Sequence, residues 1–175
     1  EQVRRWIAAG SADPAGAPSC EALLAVRQPI AEALLIQAQP MPGAPELLAW
    51  CASKGLPMAL ATSSSRSAVD LKASSHPWLR VISVRVHGDD PQLKRGKPAP
   101  DVFLLAAERV GVNAVDCWAF EDSPAGVQAA RAAGCLVHVL PPDHLGEGER
   151  RLAYPGNDTF LSSLHQLLDQ LNTAG

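Results

Sequence analysis

Residues 116–126 read Asp-Cys-Trp-Ala-Phe-Glu-Asp-Ser-Pro-Ala-Gly. The first five, Asp116 to Phe120, form a short, mostly apolar run of strand length. Two carboxylates, Glu121 and Asp122, follow at once. Ser123 then opens a helix that stops at Gly134. A further apolar run, Leu136 to Leu140, comes next. Short strands alternating with helices of about ten residues imply right-handed βαβ units and a parallel sheet. In an open parallel sheet, ligands bind at the carboxyl ends of the strands. The polar residues just after each strand are therefore the ones to inspect.

The alternation extends upstream. Met41-Pro42-Gly43 is a turn, and a helix over Pro45–Lys54 is stopped by Gly55. Pro57 to Ala61 is a buried strand ending at Thr62. Ser64 or Ser65 caps a helix through Lys72, and Val81 to Val86 is a second strand. Pro100 to Val110 is a helix with Val102, Phe103, Leu105, Ala106 and Val110 on its apolar side. Residues 141–157 read as a long Pro/Gly/charged loop, and Thr159 to Leu171 as a final amphipathic helix. The expected fold is α/β.

Residues 1–40 differ in texture, being rich in Ala, Gln and Pro. Ser19 caps a helix whose stripe includes Ala22, Leu23, Val26, Ile30 and Leu34. Pro29 falls inside it, so a kink or two shorter helices are expected. Gly10–Pro18 reads as a loop. The chain thus divides at residue 40 into a helical segment, 1–40, and an α/β core, 41–175.

With 175 residues, 47% apolar and 19% charged, the composition is that of a soluble globular domain with a small appendage. A net charge of −3 without a basic run argues against a nucleic-acid partner. No apolar stretch approaches the roughly 20 residues that span a bilayer. Nothing near Glu1 reads as a signal peptide. The four cysteines (Cys20, Cys51, Cys117, Cys135) are widely spaced and expected as free thiols in a reducing cytoplasm. The sequence is silent on oligomeric state.

Three strand ends carry possible chemistry. Thr62-Ser63-Ser64-Ser65-Arg66 puts hydroxyls and backbone N–H groups at a helix start, which makes either an anion pocket or an ordinary N-cap. Gly96-Lys97-Pro98-Ala99-Pro100-Asp101 holds a lysine in a stiff, extended loop. A fixed ammonium there suits a phosphoryl group, although many such lysines are solvated surface charges. Asp101 reads as a helix cap, and Lys94 and Arg95 as surface charge. Glu121-Asp122 places adjacent carboxylates after an apolar strand. That is costly unless something pairs with them, and magnesium, a hard cation taking oxygen ligands, is the natural partner. The alternative is that both carboxylates favour the N-terminus of the next helix. Asp89-Asp90-Pro91 reads as a turn. His87 follows a strand, but a lone histidine is usually structural. The remaining histidines have no paired acid or serine at motif spacing.

The ordered set ATSSSR (61–66), GKPAPD (96–101) and FEDSPAG (120–126) resembles the second, third and fourth motifs of the haloacid-dehalogenase superfamily. MPGAPELL, ALATSSSRSAVDLK and HGDDPQLKRGKPAPDVFL are similar to the branch containing the pseudouridine-5′-phosphatases and glycerol-3-phosphate phosphatases. The resemblance implies a Rossmann-like three-layer sandwich, with residues 1–40 as part of a helical cap. It implies a magnesium-dependent phosphomonoester hydrolase acting through an aspartyl-phosphate on a small phosphorylated substrate, a sugar-phosphate or nucleotide-like monoester. Thr62 and the Ser63 N–H would then hold the phosphoryl group, and Lys97 would bridge it to the nucleophile. Asp122 would bind magnesium with Glu121 as a direct or water-mediated partner, and Ser64 and Arg66 would face the leaving group.

One departure is large. The family's nucleophile lies in a D-x-D-G segment on a first, central strand, and no D-x-D occurs among these 175 residues. By the resemblance that strand precedes Glu1 and lies between the strands at 57–61 and 116–120. Its absence exposes apolar side chains worth about 10 kcal/mol in all, against a typical domain stability of about 5–15 kcal/mol. The chain alone is expected to be poorly stable and inactive. Rival expectations are a phosphosugar mutase of the same fold and a catalytically dead binding or regulatory protein that kept the pocket.

Overall fold

The structure is a computed structural model, and it describes residues 19–156 and 159–173. The chain divides into two compact units, Glu1–Ala38 and Gln39–Gly175.

The described part of the first unit is helix α1, Cys20–Gln37. Ser19 caps it as expected, its hydroxyl accepting from the Ala22 N–H at 3.1 Å. Pro29 lies inside but does not divide it. A Gln28–Glu32 side-chain hydrogen bond of 2.8 Å spans the proline and supports the turn where a backbone bond is lost. The expected loop at Gly10–Pro18 lies outside the described residues. No helix among the described residues is long and apolar enough to cross a membrane.

The second unit runs α2 (Ala44–Ser53), β1 (Ala59–Ala61), α3 (Arg66–Ser74), β2 (Val84–Val86), α4 (Asp101–Val110), β3 (Trp118–Glu121), α5 (Pro124–Ala133), β4 (Leu136–Val139), α6 (Glu147–Ala153), β5 (Thr159–Phe160) and α7 (Leu164–Thr173). Every strand pairing is parallel, and the α/β class stands. β1 pairs with β2, Ala59 opposite Val84. β3 pairs with β4, Trp118 opposite Leu136, and β4 with β5. The strands form two sheets, and no ladder joins β1 to β3.

Packing ties the sheets where hydrogen bonds do not. α4 lies against β1, β2 and α5, while α5 lies against β3 and β4. Val86, Val102, Phe103, Ala119, Val127 and Val137 therefore share one core. A second core joins α2 to α7 through Leu47, Leu164, Leu167 and Leu168. A parallel sheet is normally covered on both faces. Here Trp118 is 48% exposed and Phe120 37%, on the face of β3 turned away from the first core.

Four expectations need correction. The strand expected over 81–86 is only Val84–Val86, because Pro77 starts a 3-10 turn that uses up residues 77–81. The expected loop 141–157 contains α6. Its start is closed by the Glu149 carboxylate, which accepts from the Gly146 N–H at 2.8 Å. The final helix begins at Leu164, since Thr159–Phe160 supply a parallel partner to the open edge of β4. Asp101 does not cap α4; it pairs with Arg95 at 2.9 Å, and that guanidinium holds its carboxyl below the usual carboxylate range.

Candidate functional site

The three strand ends picked out in the sequence meet around Lys97. The first is held mainly by backbone. The Thr62 N–H donates to the Val86 carbonyl at 3.0 Å and prolongs the β1–β2 ladder. The Ser64 N–H donates to Thr62 Oγ1 at 3.1 Å, which leaves the Thr62 hydroxyl proton available. The Gly88 N–H donates to the Ser64 carbonyl at 2.8 Å. A Cβ at Gly88 would overlap the Ser63 carbonyl, so the two segments approach as only glycine permits. Ser65 caps α3 by accepting from the Ala68 N–H. Asp89 Oδ1 accepts from the Arg66 N–H at 2.9 Å. The Ser63 N–H has no backbone acceptor among the described residues. Ser63, Ser64 and the Arg66 side chain are exposed.

Asp89-Asp90 is a turn, and its carboxylates do more than turn the chain. Asp89 steadies the start of α3. Asp90 is gripped by both terminal nitrogens of Arg109, at 2.7 and 3.0 Å, and this hydrogen bonding holds its carboxyl below the usual range. Sequence reasoning missed both roles, because Arg109 lies a helix away.

Lys97 is the centre of the arrangement. Its side chain is 11% exposed. Nζ donates to the Ala61 carbonyl at 3.2 Å, pairs with Glu121 Oε1, and lies 4.9 Å above the Phe103 ring. The Lys97–Pro98 peptide is cis. One ammonium thus connects the carboxyl ends of β1 and β3, strands that share no ladder.

At the third strand end the two carboxylates have different surroundings. Glu121 is 7% exposed. One oxygen pairs with Lys97 and the other accepts from the Ser123 hydroxyl at 3.1 Å. The carboxylate lies flat on Gly126, where any Cβ would overlap it. Asp122 is exposed, and no hydrogen bond or ion pair engages its carboxylate among the described residues. Its backbone carbonyl accepts from the hydroxyl of buried Tyr154. Burial, with the Asp122 and Glu121 charges adding to it, pushes the Tyr154 phenol up. Ser123 caps α5, accepting from the Gly126 N–H at 3.1 Å.

Among the described residues no three His, Cys, Asp or Glu side chains gather as a metal cluster. The hard-cation chemistry fits Asp122, an uncommitted carboxylate at a helix N-terminus. It fits Glu121 less well, since both oxygens of that residue are already engaged.

His87 is 1% exposed and His138 6%. The His138 ring stacks on Phe120 at 5.2 Å and leans on Trp118 at 4.9 Å, and burial pushes its imidazole down. Cys51, Cys117 and Cys135 are free thiols, each pushed up by burial.

The sequence profile of the haloacid dehalogenase-like hydrolases matches residues 4–134. The chain belongs to that family. It is 44% identical over 120 residues to a probable pseudouridine-5′-phosphatase of Drosophila melanogaster, covering 66% of this chain and 52% of that protein. It is 38% identical over 150 residues to (DL)-glycerol-3-phosphatase 1 of Arabidopsis thaliana, covering 83% and 49%. The structure of CbbY from Rhodobacter sphaeroides in complex with phosphate superposes with a TM-score of 0.74 at 27% identity, over 95% of this chain and 73% of that one. The chain spans about half the length of these two curated relatives.

Proposed function

We propose that this chain forms part of a magnesium-dependent phosphomonoester hydrolase, acting on a small sugar-phosphate or nucleotide-like monoester. The observation that carries this reading is the placement of Lys97. A largely buried ammonium donates to the Ala61 carbonyl, one residue before Thr62, and pairs with Glu121, one residue before the exposed Asp122. Phosphoryl transfer needs that combination, because charge must be offset on the phosphoryl oxygens with little covalent chemistry from the protein.

In this scheme the Thr62 hydroxyl and the Ser63 N–H donate to the phosphoryl oxygens. Lys97 offsets charge between the phosphoryl group and the attacking carboxylate. Ser64 and Arg66, both exposed, face the leaving group. Asp122 holds the magnesium ion, which when bound screens the phosphoryl charge. Glu121 serves chiefly to fix Lys97, a narrower role than its expected share in the metal. The nucleophile is a carboxylate that these 175 residues do not supply in a D-x-D setting. It attacks phosphorus and displaces the alcohol of the monoester, and water then hydrolyses the resulting aspartyl-phosphate to inorganic phosphate and the free carboxylate. Residues 1–40 act as part of a cap that selects the substrate. The alignment with a phosphate-bound relative and with two phosphatases supports this reading.

Residues 1–175 alone, incubated with magnesium and a panel of phosphomonoesters, are expected to release no phosphate. The same chain extended by an N-terminal strand bearing D-x-D is expected to release it, and Asp122→Asn in that extended chain to abolish release. Turnover by residues 1–175 alone would sink the assignment of the nucleophile.

A further inference from the structure

Tyr154 takes no part in the reaction scheme and yet touches it. It closes α6, 32 residues from Asp122 in sequence, and is only 2% exposed. A buried phenol needs a partner for its hydroxyl. Tyr154 takes the main-chain carbonyl of Asp122.

The turn between β3 and α5 gives that bond its importance. The Glu121 carbonyl accepts from the Leu140 N–H at 2.8 Å, and the Ser123 carbonyl from the Val127 N–H at 2.9 Å. Asp122 lies between these two pinned residues. Its own carbonyl is held by the Tyr154 hydroxyl, while its carboxylate points to solvent without a partner. The orientation of the 122–123 peptide governs where the Asp122 side chain can project, so the phenol aims the carboxylate.

Tyr154 is itself held from two directions. Its N–H donates to the Arg150 carbonyl at 2.9 Å within α6. The next residue, Pro155, accepts through its carbonyl from Arg131 of α5, and the Arg131 guanidinium packs on Gly156. The Phe160 ring meets the tyrosine edge-on at 6.1 Å. The helix that begins just after Asp122 thus also anchors the tyrosine that holds Asp122.

We propose that Tyr154 is a positioning residue for the divalent-cation site, acting through the Asp122 main chain. This rests on the reading that Asp122 binds the metal. The test titrates the chain extended by the N-terminal strand bearing D-x-D with Mn2+ alone, followed by water-proton relaxation, at a temperature where circular dichroism shows each variant folded. Asp122→Asn is expected to lose binding. Tyr154→Phe, which keeps the ring and removes the hydroxyl, is expected to weaken it about tenfold, as loss of a group that orients a ligand does. Phe160→Leu loosens the same packing without touching the hydrogen bond and is expected to leave affinity unchanged. Unchanged affinity in Tyr154→Phe, with binding lost in Asp122→Asn, overturns the role of Tyr154 and leaves the metal assignment standing. Equal weakening in Tyr154→Phe and Phe160→Leu also overturns it, since general loosening then suffices. Wild-type affinity in Asp122→Asn overturns the metal assignment and the role of Tyr154 with it.

Discussion

The two sides of Lys97 are built by different means. On the β1 side, the Thr62–Arg66 loop hangs on main-chain hydrogen bonds to Val86 and Gly88, with Asp89 closing the helix start. On the β3 side, the Glu121–Ser123 turn has main-chain bonds at Glu121 and Ser123 but depends further on side chains: Lys97 and Tyr154 from distant segments, and its own Ser123 hydroxyl. Backbone ties survive most substitutions and fail only where a close approach demands glycine. Side-chain ties fail one residue at a time, and where the tie is Lys97 the group left behind, Glu121, is charged and buried. The β3 side should therefore be the more fragile half of the site.

Lys97→Met breaks the comparison hardest. It leaves Glu121, 7% exposed, without its cation. Removing one partner of a buried pair costs about 3–5 kcal/mol, to be read as a lowered urea midpoint. Adding Glu121→Leu should recover much of that loss; if it does not, the charge left behind is not the cause. Gly88→Ala probes the backbone side. Forcing a methyl against the Ser63 carbonyl should cost about 1–3 kcal/mol by the same measurement, and a neutral result would mean the two segments separate easily. Ser123→Ala removes a helix cap together with one partner of Glu121, for a loss of about 1 kcal/mol.

Acid separates the halves more finely. The imidazole of His138, on β4, is pushed down by burial. The unfolded chain then binds a proton before the folded one does, so stability falls as pH drops below about 6.5 toward the lower folded value. His138→Phe should flatten that decline in pH-dependent urea titrations. On the β1 side, the carboxyl of Asp90 is held down by Arg109. Its contribution is present above about pH 3.9 and is lost only as pH falls through its lower folded value. A midpoint that stays level from pH 7 to 5 would sink the His138 argument.

The stations of the site were legible because each is local. Thr62 and Glu121-Asp122 follow apolar runs directly, Lys97 is marked by the Gly96 and Pro98 that flank it, and strand ends in parallel sheets face one way. The ties between stations were not. The stretch between Asp122 and Tyr154, 32 positions apart, includes a loop read as structureless, in which α6 was hidden by Gly148 and the lack of an apolar stripe. The Asp90–Arg109 pair shows the same limit, since either charge alone reads as surface. Glu121 shows another, because two neighbouring acids look alike in sequence and only folding commits one to Lys97. Pro29 shows that a breaker can sit within a helix when its neighbours bridge it.

β1 and β3 each offer one rim along which no other described strand runs. Rows of unshared N–H and C=O groups act as an adhesive, selective for direction but nearly indifferent to sequence. The isolated chain therefore belongs with proteins whose behaviour depends on how much of it is present. When dilute, its rims are hydrated. When crowded, they are expected to find one another, with Trp118 and Phe120 on the exposed face of β3 adding apolar area to the contact, and light scattering that stays flat as concentration rises would count against it.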